Sequence, residues 1–105
     1  MQTRRLDEGE FQATMTPKMH DVTPSAANVP DIWPYVDSVP AGDLNGHILC
    51  DGLVELVYRT DDGRFDHALV MTRTKNVYLA VVVDLAKEAV YGHHLLDLNR
   101  LYGLS

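Results

Sequence analysis

The sequence predicts an α+β fold: a small antiparallel β-meander of three to five strands packed against a C-terminal helix. Three features point to it. Asp62-Gly63 separates two alternating runs, a third and strongly apolar run follows Thr74-Lys75-Asn76, and a leucine stripe lies near the C-terminus.

The first turn carries the strongest local signal. Asp-Gly accepts the positive φ angles of a two-residue type I′ hairpin. With those residues as the loop, Asp61 faces Arg64. Pairing then continues Arg59 with Asp66, Tyr58 with His67, Val57 with Ala68, Leu56 with Leu69 and Val54 with Met71. The register sets opposite charges across the ladder at Arg59 and Asp66, worth ~0.2–1 kcal/mol. It also gathers Val54, Leu56, Tyr58, Leu69 and Met71 on one face, a set that a one-residue slip would scatter.

The second turn reads as a three-residue loop with Asn76 in the left-handed region, which Asn tolerates. That places Met71 opposite Leu79, Leu69 opposite Val81 and His67 opposite Val83. The third strand carries Val77, Leu79, Val81, Val83 and Leu85 on one side and Tyr78, Ala80 and Val82 on the other. Apolar residues on both sides imply that both are covered. The C-terminal helix is one candidate cover; the N-terminal segment or a second copy of the chain is the other.

Ahead of the hairpin, Asn45-Gly46 and Asp51-Gly52 are turn signals. His47–Cys50 between them is either a short strand or the start of the first long strand, with a bulge at Gly52. After Leu85, Ala86-Lys87 turns the chain into a fourth strand from about Glu88 to His93. Leu95, Leu98, Leu101 and Tyr102 then share a face at helical spacing. Gly103 fits the stop position, and Leu104 the apolar contact that accompanies it.

All five prolines lie between Pro17 and Pro40. Residues 1–30 are polar and aperiodic and read as a flexible or extended segment; residues 31–105 read as a single α+β domain. Asp31 is a candidate cap for a short helix with Pro34 in its first turn. Trp33, with Ile32, Tyr35 and Val36, reads either as a latch over one sheet face or as a motif that docks on a partner.

The chain has 105 residues, a formal net charge of −6 and one cysteine, Cys50. Residues 1–40 and 41–105 each contribute −3, and no basic patch stands out, which argues against nucleic acid and against an anionic membrane surface. No apolar run approaches the ~20 residues of a membrane span. The N-terminus lacks the apolar stretch of a secretory signal, and a lone cysteine excludes an intrachain disulfide, so a cytoplasmic location is expected.

Chemistry is sparse. His93, His94 and Asp97 form the densest polar cluster. On a helix, His93 and Asp97, or His94 and Asp97, would share a face and could clasp a metal, although zinc needs a third ligand from elsewhere. The simpler role for these residues is helix capping. His47 and Cys50 are a weaker metal pair with no second pair at finger-like spacing, and Cys50 reads as a structural thiol rather than a nucleophile. Tyr58 and His67 are a candidate ligand-binding pair: at the end of an apolar face they could line a pocket, with His67 exchanging a proton or a hydrogen bond with a ligand. Asp43-Leu44-Asn45 opens like a calcium loop, but Val54 stands where the bidentate Glu would be needed.

No reaction is named by these residues, and no cofactor is expected. The function expected first is a small non-enzymatic binding or protein-interaction module, self-associating as a homodimer through a sheet face. The alternative is a metal-binding protein or metal-dependent enzyme on His93, His94 and Asp97. A third possibility is an accessory subunit whose first thirty residues fold on a partner.

Overall fold

The computed structural model describes residues 3–23 and 32–101. Five strands form one antiparallel sheet in chain order: β1 (Met19–Asp21), β2 (Leu49–Thr60), β3 (Phe65–Thr72), β4 (Val77–Asp84) and β5 (Ala89–Asp97). The helices are short: α1 (Glu8–Thr14), α2 (Trp33–Asp37), a 3-10 turn (Ala41–Leu44) and α3 (Leu98–Leu101).

The β2–β3 register is the expected one near the turn, pairing Arg59 with Asp66, Tyr58 with His67, Val57 with Ala68 and Leu56 with Leu69. Arg59 grips Asp66 with two bonds, Nε to Oδ1 at 2.8 Å and Nη2 to Oδ2 at 3.1 Å. The turn itself differs in type. Gly63 N–H donates to the Thr60 carbonyl at 2.9 Å, so Asp61 and Asp62 are the central residues and Gly63, at φ 73°, takes the left-handed position after them. Asp62 has no positive φ, so the type I′ turn is excluded. Further along, Val54 pairs with Val70, not Met71, because Glu55 is extruded between Val54 and Leu56. The bulge turns Val54 toward the face of Val57 and away from that of Leu56. Of the two readings of His47–Cys50, the second holds: Leu49 and Cys50 begin β2, and irregular pairing spans Gly52.

The second hairpin is one residue out from the expected register. His67 faces Val82, Leu69 faces Ala80 and Met71 faces Tyr78. Asn76 does sit at positive φ (66°), but the loop holds four residues because Thr72 closes it: its Oγ1 donates to the Val77 carbonyl at 2.8 Å and accepts from Thr74 N–H at 3.1 Å.

The C-terminal helix is only a short turn. β5 runs past His93 through Leu95 and Leu96 to Asp97, because β4 offers its whole length, from Asp84 opposite Ala89 to Val77 opposite Asp97. Ending β5 at His93 would leave the backbone groups of Tyr78 and Ala80 that face β5 without their partners Leu96 and His94, which a covered strand cannot tolerate. Tyr102, Gly103 and Leu104 lie outside the described residues, as does Asp31.

Both faces of the sheet are covered, but not by that helix. On one face Ile32, Tyr35 and Val36 bury against Val57, Ala68, Val70, Leu79 and Val81, with Trp33 packed beside them. The latch reading therefore holds, with Ile32 (1 % exposed) rather than Trp33 at its centre. On the other face Leu6 and Phe11 bury against Phe65, Leu69, Ala80 and Val82. The segment whose composition suggests a flexible tail thus supplies a helix, a strand and a fully buried leucine. Its local signal is a capping box: Asp7 accepts from Glu10 N–H at 2.8 Å, and Glu10 accepts from Asp7 N–H. The doubly apolar β4 needs no second copy to shield it.

Candidate binding groove at the edge of the sheet

β5 is an edge strand, and the N-terminal arm closes only part of that edge. Leu6 N–H donates to the His93 carbonyl at 2.8 Å and His93 N–H donates to the Arg4 carbonyl at 3.0 Å, so Arg4–Leu6 lies parallel to β5 at this point. The arm then leaves at Asp7, the cap of α1. Backbone groups alternate along a strand, so Leu95 turns its N–H and C=O the same way as His93. Neither has a backbone partner among the described residues.

A groove of about 640 Å³ opens there. One wall is the arm and the start of α1 (Arg5–Glu8), another is the 3-10 turn (Gly42, Asp43, Asn45), and the third is His94–Asp97 with Arg100. Its volume is within the range of small-molecule and peptide sites.

A buried hydrogen-bond chain joins these walls. Asp43 Oδ2 lies 2.9 Å from His93 Nε2, and His93 Nδ1 lies 2.7 Å from the Tyr35 hydroxyl. That hydroxyl accepts from Arg4 N–H at 2.8 Å. A carboxylate only accepts, so Nε2–H donates to Asp43; the Tyr35 hydroxyl, with one proton to give, lies between His93 Nδ1 and the Arg4 carbonyl, the latter at 3.1 Å. Burial, reinforced by the Asp43 charge, raises the Tyr35 pKa above that of an ordinary phenol, which keeps the O–H donor in place. His93 is fully buried and Tyr35 nearly so. The chain is a clasp for the arm, α2 and the 3-10 turn, not an exposed nucleophile relay.

The residues singled out in the sequence fall in different places. His93 and His94 are neighbours on a strand, not a helix, so they point to opposite faces. His93 joins the clasp, whereas His94 stacks on Phe11 at 4.5 Å between ring centres and donates from Nδ1 to the Leu6 carbonyl at 3.0 Å. Asp97 shares His93's side but lies roughly 13 Å along the strand at ~3.3 Å per residue. The trio does not converge, and no group of three His, Cys, Asp or Glu among the described residues could hold a metal ion. His47 bonds Thr74 Oγ1 at 2.9 Å, and Cys50 is a free, half-buried thiol.

Tyr58 and His67 are cross-strand partners, as the register requires. His67 is buried, however, under α1. Thr14 donates its hydroxyl proton to the Phe11 carbonyl at 2.7 Å, so it accepts from His67 Nε2–H at 2.9 Å. That leaves His67 Nδ1 buried with no hydrogen-bond partner. Burial pushes the imidazole below its ordinary pKa, opposed in part by the Asp66 charge.

Tyr35, Asp43 and the open edge at Leu95 were not legible as a site. The clasp joins residues 31, 50 and 58 positions apart, beyond the reach of any local spacing rule. Among the described residues no helix is long and apolar enough to cross a membrane. In comparisons with known proteins, no protein-family model, no curated protein and no solved structure matches the chain.

Proposed function

We propose that this chain is a small non-enzymatic binding module that takes its ligand in the groove beside Leu95. One observation carries the reading. The edge of β5 presents backbone donors and acceptors, without partners among the described residues, into a concave polar space between the N-terminal arm and the 3-10 turn. Support also comes from the clasp, which holds those walls on the sheet through buried bonds and so pre-organises the groove. The reading differs from self-association through a sheet face, whose apolar surfaces are filled from within the chain. It also differs from the metal reading, whose three residues diverge. The single half-buried thiol fits a cytoplasmic setting.

Ligand-observed NMR with a fragment collection, followed by ¹⁵N-resolved titration of the hits, tests the proposal. Saturable shifts confined to amides around Arg5–Glu8, Gly42–Asn45 and His94–Asp97 are expected. Hits that map elsewhere, or none at millimolar concentration, would count against it.

A further inference from the structure

The geometry points to an extended peptide with basic side chains as the occupant of the groove, added to β5 as a further strand at Leu95. This rests on reading the groove as the binding site. The arm shows that this edge accepts strand pairing: Arg4–Leu6 already makes two ladder bonds to His93. Because the chain departs at Asp7, the next outward-facing residue, Leu95, has no backbone partner on that side among the described residues. An extended peptide supplies both its missing partners, and backbone pairing of this kind gives affinity without regard to side chains.

Charge supplies the selectivity. The groove sets the carboxylates of Asp7, Glu8, Asp43 and Asp97 against the guanidiniums of Arg5 and Arg100. Asp7 and Asp97 already accept backbone N–H bonds, yet each carboxylate keeps further lone pairs to offer. A lysine or arginine is therefore favoured and a glutamate is repelled. A second copy of the chain suits the site poorly. It brings the same acidic excess, and its own Arg4–Leu6 arm already lies on its β5 edge.

The test is titration of the ¹⁵N-labelled full chain with a blocked pentapeptide alternating valine and lysine. Its glutamate counterpart, the lysine peptide methylated at alternate backbone nitrogens, and butylamine serve as comparisons. The lysine peptide is expected to shift the Leu95 and Asp97 amides and to slow hydrogen exchange at Leu95. It should bind about tenfold more tightly than the glutamate peptide and about fivefold more tightly than the methylated one. Asp97→Asn should weaken it severalfold; if that variant unfolds, Glu8→Gln gives the same readout from the other wall. No shift at Leu95, equal affinity for lysine and glutamate peptides, or undiminished binding after methylation overturns the proposal. Butylamine or fragments filling the groove while peptides do not would also overturn it and leave the groove reading standing; binding by none would end both. A concentration-dependent shift at Leu95 without peptide would make a second copy the occupant, again overturning it.

Discussion

His67 concentrates the physics of this core in one ring. The sequence places it at the end of an apolar face, where it could line a pocket, yet Phe11 and Phe65 surround it at 6.0 and 6.4 Å between ring centres. Its pKa lies below the ordinary 6.5, with burial the main cause. The folded ring therefore stays neutral while the unfolded chain takes up a proton. The contribution to stability is complete above the unfolded value and is lost as pH falls through it. Urea unfolding from about pH 8 to about pH 5 should show stability falling below about pH 6.5. His67→Leu, which also removes the partnerless Nδ1, should flatten that limb; an unchanged pH slope in the variant would mean that the ring is not buried as described. Residues close to a turn in sequence were legible at this scale: Arg59–Asp66 and Tyr58–His67 follow from the Asp62-Gly63 signal alone. The contacts of His93 were not, because each partner comes from a distant part of the chain.

At the scale of elements, attachment of the N-terminal arm can be tested from both sides. A Cβ on Gly92 would come within 2.6 Å of Leu6 Cδ2, 2.7 Å of Leu6 Cγ and 3.0 Å of the Arg4 carbonyl. Gly92→Ala should cost about 1–3 kcal/mol and raise exchange at the Leu6 amide. Gly42→Ala, with nothing within 4 Å of its added carbon, should do neither. Tyr35→Phe leaves Arg4 N–H and His93 Nδ1 short of a partner, and chemical denaturation should register a loss of about 1–3 kcal/mol. Helix and strand periodicity compete in the stretch around Leu95, and here local pattern misleads. A leucine stripe is helical when the segment stands alone, but β4 next to it offers a full ladder of backbone bonds. Conversely, polar composition hid α1, whose only local signature is the Asp7–Glu10 box. The one-residue register shift in the second hairpin arises from Thr72, a turn-closing hydroxyl that alternation does not register.

On the scale of the whole molecule, the sheet lies between two unequal layers, α2 with the 3-10 turn on one side and Leu6 with α1 on the other. The alternation of β4 required this double cover, and that much was legible; which segments supply it was left open between the chain's own N-terminus, the C-terminal helix and a second copy. A chain starting at Lys18 lacks Leu6 and Phe11, the buried apolar residues that the arm and α1 contribute. Losing even one such side chain costs about 2–5 kcal/mol, so sedimentation should find the truncated chain unfolded or associated. A stable, monomeric truncated chain would mean that the segment is the flexible tail its composition suggests.

The groove depends on a single change along β5, from a residue paired with the arm to one that is not. Residue-resolved amide hydrogen exchange at neutral pH measures this directly. The account predicts that His93, bonded to the Arg4 carbonyl, exchanges slowly, and that Leu95, two residues on along the same edge, exchanges orders of magnitude faster. Equal protection at the two amides would show that the edge is already closed and would contradict both the groove and the strand that it is proposed to receive.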